Sequence, residues 1–219
     1  MINNQTIETY NKWSLSYDID SNPLIPIEQL TTHSLLRSIN CHTVLDACTG
    51  TGRYAIHLAK QGKIVTAIDA SEQMLAVAKQ KAAQDNLNID FHSGEISDLS
   101  FETNSFDLVI CALALSHNPD LDKPCQELVR VLRKGGNLIV TDLHPYFQNW
   151  YGSDYQLEIG DFGCQPYPLY HLEVEKYTQA IEKSGARIVT TLDVPSRWIP
   201  PEGEHVAVPG ALIVWATKI

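Results

Sequence analysis

No apolar run in this chain of 219 residues is longer than the stretch from Leu108 to Leu115, far short of the roughly 20 residues that a membrane-spanning helix needs. The five cysteines (Cys41, Cys48, Cys111, Cys125 and Cys164) form no Cys-x-x-Cys pair and no cluster with zinc-ligand spacing. Reduced thiols in a cytosol are therefore expected, and a metal site is not. Cations are scarce, with 16 Lys and Arg against 26 Asp and Glu, a formal net charge of -10. That balance argues against nucleic acid and anionic membrane as partners, since both need clustered positive charge. The opening MINNQTIETY has no charged segment leading into an apolar one, so it does not read as a secretory signal. Internal repeats and low-complexity segments are missing as well. A soluble, cytoplasmic protein is expected, and its 44% hydrophobic content is ordinary for a single well-filled domain over 1–219.

What is present is alternation. Thr43–Ala47 reads as a short buried strand, and Arg53–Gln61 as a helix stopped by Gly62. Ile64–Asp69 is a β-branched strand, after which Ser71 caps a helix running through SEQMLAVAKQKAAQDN. Further strands are expected near Ile89–His92, over Phe106–Ala112, and over NLIVTD after the turn Lys134–Gly136. Asp120 or Asp122 opens the helix between the last two, with Pro124 tolerated in its first turn. Strands alternating with helices imply a parallel sheet covered on both faces. The tail departs from this. After a helix over Glu173–Ser184, the runs Arg187–Val194 and Val206–Lys218 have only a Pro-containing loop between them, so they should form an antiparallel hairpin at the sheet edge. The fold class is thus α/β, a Rossmann-like doubly wound sheet of seven strands with a C-terminal antiparallel hairpin. An N-terminal arm and a helix over Pro26–Ile39 occupy 1–40, and 143–172 is an insert.

The stretch VLDACTGTGR, Val44 to Arg53, is an apolar run that ends in an acid and breaks into Gly-Thr-Gly. A strand entering a glycine turn and then a helix gathers backbone N–H groups and the positive helix end at one spot. Gly50 and Gly52 should let a ligand approach the main chain without meeting a Cβ. Asp69 closes the next strand, where an acid in nucleotide-binding sheets accepts from ribose hydroxyls. A dinucleotide would want G-x-G-x-x-G, yet the third position here is Ala55 at best, and Asp46 would repel a pyrophosphate. An acid there suits a ligand with an ammonium group, and adenosylmethionine has one.

These residues resemble the class I S-adenosylmethionine-dependent methyltransferases. VLDACTGTGRYAIHLAKQG is similar to the first motif of that family, VTAIDASEQMLAVAK to the second, and SGEI to the third. FDLVICALALSH and ELVRVLRKGGNLIVTD are similar to the fourth and fifth, and the blocks together cover roughly residues 24–142. One departure is Cys48, which stands where the family usually has glycine; it is expected to lie under the turn without acting chemically. The resemblance implies S-adenosyl-L-methionine as methyl donor, with S-adenosyl-L-homocysteine as product. It implies that Asp46 and the Gly50 backbone hold the methionine ammonium end, beside Gly52, and that Asp69 takes the ribose. Met74 would pack on adenine or serve ordinary helix packing; Glu95 would reach the adenine amino group, with the Ile96 amide donating to the ring. Ala112 would run beside the sulfonium. Arg53 could reach the donor carboxylate, cap a carbonyl or face solvent.

The acceptor should lie outside the carboxyl ends of the strands, under the N-terminal arm and the insert 143–172. That insert holds Tyr146, Phe147, Trp150, Tyr151, Tyr155, Phe162, Tyr167 and Tyr170 and no Lys or Arg; the arm adds Tyr10, Trp13 and Tyr17. A connection this long and aromatic suits a lid over a small neutral aromatic, phenolic or amine substrate. Tyr10, Trp13, Tyr17, Tyr146, Trp150 and Tyr151 are the expected substrate contacts. His144 and His117, after the fifth and fourth strands, are the candidate bases, with His144 preferred; His57 points away from the site and His171 is a weaker choice. A nucleic-acid or protein methyltransferase is the rival within the enzymes, though CALALSHNPD lacks the Asn/Asp-Pro-Pro-aromatic motif common there. A non-catalytic partner subunit that binds adenosylmethionine is the rival outside them. The chain is expected to be a monomer or homodimer.

Overall fold

The computed structural model describes residues 2–20, 22, 24–146, 156–170, 172–198 and 206–219. Its strands are β1 (Thr43–Ala47), β2 (Ile64–Asp69), β3 (Ile89–Ser93), β4 (Phe106–Ala112), β5 (Leu132–Leu143), β6 (Gln156–Ile159), β7 (Gly163–Pro166), β8 (Ala186–Trp198) and β9 (Val206–Lys218). The helices are α1 (Asn4–Trp13), α2 (Leu24–Leu36), α3 (Arg53–Lys60), α4 (Glu72–Gln84), α5 (Asp122–Val131) and α6 (Val174–Lys183). None of them is long and apolar enough to cross a membrane.

Seven strands form one sheet in the order β3-β2-β1-β4-β5-β9-β8. The first five run parallel, and β9 pairs antiparallel with both β5 and β8, so the closing hairpin lies where expected. Side chains alternate between two faces, as the period of a strand requires. Leu45, Ala47, Val109, Cys111, Leu138 and Val140 point into a core with Leu128 of α5 and Tyr177 and Ile181 of α6. Val44, Leu108, Ile110, Ile139 and Ile213 point into the opposite core with Leu36, Ile56 and Leu58. This double covering explains why β1 and β4 read as unbroken apolar runs in the sequence.

Several boundaries differ from expectation. β5 begins at Leu132, straight out of α5, and Lys134–Gly136 is not a free turn but a bulge: Phe106 pairs with Leu132, whereas Leu108 pairs with Asn137. Gly136 is required there, because a Cβ would sit 2.8 Å from the Arg133 carbonyl oxygen. The arm contains a true helix, α1, capped by the Asn3 side chain accepting from the Gln5 amide at 3.0 Å. The insert contains the hairpin β6–β7, which the sequence reading did not anticipate. A two-stranded hairpin is marginal alone. Here Ile159 is buried with Trp13 and Met74, and Thr9 Oγ1 donates to the Pro166 carbonyl at 2.7 Å. Hairpin and arm therefore hold each other, at the carboxyl end of the sheet. In the chain order, β1 is followed by β2 on one side and neighboured by β4 on the other. The winding reverses between β1 and β4, and ligands of such sheets bind in the crevice at that reversal.

Candidate active site

A pocket open to solvent lies at this reversal, of the concave kind in which small molecules bind. Its walls come from the ends of three neighbouring strands: Asp46 and Cys48 from β1, Asp69 and Ala70 from β2, and Ala112, Leu113 and Ala114 from β4. Asp46 is 1% exposed, and its Oδ2 accepts from Thr49 Oγ1 at 2.7 Å and from the Ala55 amide at 2.8 Å. Both bonds fall on Oδ2, which leaves Oδ1 for a ligand in the pocket that Asp46 lines. Burial pushes the Asp46 carboxyl up to about 6, against the pull of those two bonds. Asp69 accepts from the Gly50 amide with Oδ2 and from the Ser71 amide with Oδ1, each at 2.8 Å, and burial raises its pKa also. The two acids thus brace the glycine turn from both sides.

The turn glycines divide the labour. Gly50 has φ +55°, lines the pocket, and a Cβ built on it meets nothing within 4 Å, so the space over it is open to a ligand. Gly52 has φ +84°, but a Cβ there would press on Ala78 Cβ at 3.1 Å and Ile56 Cδ1 at 3.2 Å. Its bareness lets α3 pack against α4, and it does not line the pocket. Cys48 has φ +62°, the left-handed region in which a side chain costs about 1–2 kcal/mol. That conformation is why glycine would be at ease here. Its thiol lies beside Cys111, and that contact with burial pushes the Cys48 pKa well up, so it is a wall and not a nucleophile. Leu113, also in the wall, has φ +55°. Such strain concentrates at functional sites.

Arg53 lines the pocket, and its Nη1 donates to Glu28 Oε2 at 2.6 Å. Glu28 is fully buried and also accepts from Tyr54 Oη at 2.6 Å and Thr32 Oγ1 at 3.1 Å. The paired carboxylate raises the Arg53 pKa, against the effect of burial. The guanidinium is held, charged, at the edge of the glycine turn, so among the sequence alternatives Arg53 neither caps a carbonyl nor stands free in solvent.

The arm closes the other side. Tyr10 and Tyr17 line the pocket; Trp13 stands behind them at 4% exposure against Met74 and Ile159. Asp18 accepts from Thr51 Oγ1 and from Lys81 Nζ, both at 2.7 Å, and Ser71 Oγ donates to Asn11 Oδ1 at 2.6 Å. His117 sits in the 3-10 turn Leu115–His117 that follows β4, and it is 2% exposed. Its Nδ1 meets the Pro168 carbonyl at 2.7 Å and its Nε2 meets Tyr10 Oη at 3.0 Å. Burial lowers its pKa to about 4, so the ring is neutral near pH 7.

The structure therefore brings Asp46, Gly50, Asp69, Met74, Ala112, Tyr10, Tyr17 and His117 to one pocket wall. Glu95 and Ile96 stand outside the lining: Glu95 Oε2 accepts from the Ile2 amide at 3.3 Å, and the Ile96 side chain is in the sheet core. His144 is outside too. Its Nδ1 accepts from the Tyr146 amide at 3.1 Å, and its Nε2 meets Asp193 Oδ1 at 3.2 Å, so the ring ties β5 to β8. Tyr146 is 42% exposed and does not line the pocket. Trp150, Tyr151 and His171 lie outside the described residues. Sequence reasoning missed Thr49, Ser71 and Leu113 in the wall, and Tyr167 behind it. Only Tyr167 left a signal, as one ring among the eight of the insert.

Comparison with known proteins agrees with this geometry. A methyltransferase domain model matches residues 44–136, from the start of β1 to the bulge of β5. A ubiquinone biosynthesis O-methyltransferase of Coxiella burnetii is 30% identical over 150 residues, which is 67% of this chain and 64% of that protein. A demethylmenaquinone methyltransferase of Deinococcus radiodurans is 35% identical over 116 residues, 52% of this chain and 48% of that one. The match thus spans a little under two thirds, and in the second case about half, of these curated relatives. Among solved structures, a Listeria monocytogenes protein assigned to the S-adenosylmethionine-dependent methyltransferases superposes with a TM-score of 0.69 at 25% identity, over 89% of this chain and 99% of that one. A Clostridium acetobutylicum structure covers 98% of both chains with a TM-score of 0.68 at 16% identity, which speaks to the fold alone. With its motif blocks, its strand order and its acid-flanked glycine turn, the chain carries a methyltransferase domain over residues 44–136 and is similar in sequence and fold to S-adenosylmethionine-dependent methyltransferases.

Proposed function

We propose that this protein is a methyltransferase that uses S-adenosyl-L-methionine on a small, neutral acceptor of phenolic or related aromatic type. The observation that carries the reading is the convergence of Asp46 Oδ1, the bare Gly50 backbone and Asp69 on one pocket at the β1/β4 reversal. When bound there, the donor supplies an electrophilic methyl group. Asp46 would hold its ammonium, Asp69 its ribose hydroxyls, and Arg53 its carboxylate. Met74 and Ala70 would flank the base. The protein's main task is then alignment, from which well-oriented reactions gain roughly 7–11 kcal/mol.

The acceptor end supports a neutral substrate. Tyr10, Tyr17, Ala112, Leu113 and His117 surround it, and the nearest cation, Arg53, is already paired with Glu28. Amines remain within reach of the same aromatic walls. The two curated relatives are named for methyl transfer in ubiquinone biosynthesis and to demethylmenaquinone, and a ring of that kind suits the aromatic wall that Tyr10 and Tyr17 form together. Of the two histidines, the geometry favours His117 over His144, because only His117 reaches the pocket.

Calorimetric titration with S-adenosylmethionine, S-adenosylhomocysteine and NAD tests the donor half. Both adenosyl compounds should bind and NAD should not. Asp69→Ala should weaken them by about 10- to 100-fold, the worth of hydrogen bonds to a charged group. Binding of NAD in preference to either would sink the reading. Release of S-adenosylhomocysteine with catechols and hydroquinones as acceptors then tests the acceptor half.

A further inference from the structure

We propose that Tyr10 and His117 form a two-residue relay that takes the proton from the acceptor, and that the relay exists only while α1 is docked over the pocket. The inference rests on the methyltransferase reading above and adds to it a named base, a route for the proton and a requirement on the acceptor.

The hydrogens of the cluster can be assigned from their partners. The Pro168 carbonyl can only accept, so His117 Nδ1 carries the proton in the 2.7 Å contact and Nε2 is left as an acceptor. Tyr10 Oη, 3.0 Å from Nε2, therefore donates to it. Having given its only hydrogen to His117, Tyr10 Oη is the acceptor in its 3.0 Å contact with Tyr167 Oη. One lone pair of the Tyr10 oxygen remains, on a residue that lines the pocket. The chain of bonds runs one way, from Tyr167 through Tyr10 to His117 and on to a backbone carbonyl.

The turn that carries His117 is fixed independently. The Ser116 amide and Oγ each donate to Asp142 at 2.7 Å, Tyr177 Oη donates to the same carboxylate at 3.1 Å, and the Tyr170 amide donates to the Ser116 carbonyl at 2.8 Å. The imidazole is thus built into the body of the protein, whereas Tyr10 arrives on α1. Catalytic groups contributed by a closing element complete the site only on closure.

The proton balance follows. Methyl transfer to a neutral acceptor X–H forms a bond between X and carbon and leaves the donor sulfur uncharged, so the hydrogen on X must depart as a proton. It passes to the Tyr10 oxygen as the Tyr10 proton passes to His117 Nε2, giving an imidazolium whose Nδ1–H still donates to Pro168. One positive charge disappears from sulfur and one appears on His117, so the closed pocket keeps its net charge. Tyr17, Tyr167 and Asp69 are the titratable groups that face Tyr10. Burial keeps His117 a weak base in the closed site, with a pKa of about 4, and an imidazole opened to water, with a pKa of about 6.5, still gives up its proton at neutral pH once α1 lifts. The acceptor must accordingly carry a hydrogen on oxygen, nitrogen or an acidic carbon. Thioethers and tertiary amines are outside its range.

The test uses the full chain labelled with ¹⁵N-histidine. The His117 Nε2 resonance should report an unprotonated, hydrogen-bonded nitrogen, and Tyr10→Phe should move it toward the unbonded position. In the same variant, affinity for S-adenosylhomocysteine should stay within about twofold. Turnover of catechol or hydroquinone should fall about 100-fold in kcat, within the range for acid–base groups, with KM changed less than threefold. Tyr167→Phe should move the resonance in the same sense by less. An Nε2 resonance unmoved by Tyr10→Phe overturns the relay, as does a kcat within threefold of the parent. If the parent protein binds S-adenosylhomocysteine but methylates neither phenol, catechol is titrated into that complex, and an unmoved Nε2 resonance overturns the relay while leaving the donor site standing. Failure to bind S-adenosylhomocysteine at all removes the methyltransferase reading and the relay with it.

Discussion

Asp46 shows how one side chain links the fold to ligand binding. It is buried with two hydrogen bonds on a single oxygen, and burial nevertheless holds its pKa at about 6. A carboxyl whose folded pKa is raised contributes stability that is complete below its unfolded value near 4 and is lost as pH rises through about 6. Keeping it ionised at pH 7 therefore costs the ligand-free protein on the order of 3 kcal/mol. A bound ammonium reverses the sign, because it favours the carboxylate. Affinity for S-adenosylmethionine should then drop as pH falls below about 6, approaching tenfold per unit, as donor binding has to expel the Asp46 proton. Asp46→Asn should bind the donor weakly and without this pH dependence, yet melt within a few degrees of the parent at pH 7. A parallel pH dependence in the variant would assign the titration to another group.

The element that matters most is α1. Ten residues make a helix that is marginal in isolation, and its order comes from what it touches. Trp13 fills the space between Met74 and Ile159, Thr9 holds the β6–β7 hairpin, and in the turn that follows the helix Asp18 bridges Thr51 and Lys81. The Asp18 carboxylate is 41% exposed, so its two bonds contribute only about 1 kcal/mol after screening. Asp18→Ala should speed amide hydrogen exchange in α1 by about fivefold and leave β1 and β4 unchanged. S-adenosylhomocysteine should restore part of that protection. Equal exchange in the variant and the parent would show that Asp18 is not a latch.

At the scale of the whole molecule, the pocket is not a separable part. Its wall draws on β1, β2, β4, the turn before α3 and the N-terminal arm, and the two cores under it share the same central strands. A ligand seated there couples to the global unfolding equilibrium. At 100 times its dissociation constant, S-adenosylhomocysteine should add about 2.7 kcal/mol, or roughly 5–10 °C in Tm for a domain of this size. Tryptophan fluorescence and far-ultraviolet dichroism should report the same shift, since Trp13 lies in the arm and Trp215 in the sheet. A shift seen by only one probe would mean that arm and sheet unfold separately.

Local pattern alone determined the sheet and the meeting of Asp46, Gly50 and Asp69 at one pocket. β1, β2 and β4 announce themselves as apolar runs because both faces of a parallel strand are buried, and the Asp46, Gly50 and Asp69 spacing depends on a strand–turn–helix unit that neighbouring residues define. Gly52 was legible as a needed glycine, but not that its bareness serves α3 and α4 packing and not the ligand. The acceptor half was decided by tertiary structure. His117 and His144 stand at equivalent places in the sequence pattern, each just past a strand end. Which one enters the pocket depends on partners 49 to 107 residues away: Asp193 draws His144 to β8, while Tyr10 and Pro168 hold His117 at the pocket. The β6–β7 hairpin and α1 likewise exist because each buries the other's apolar face, a long-range exchange that no local window contains.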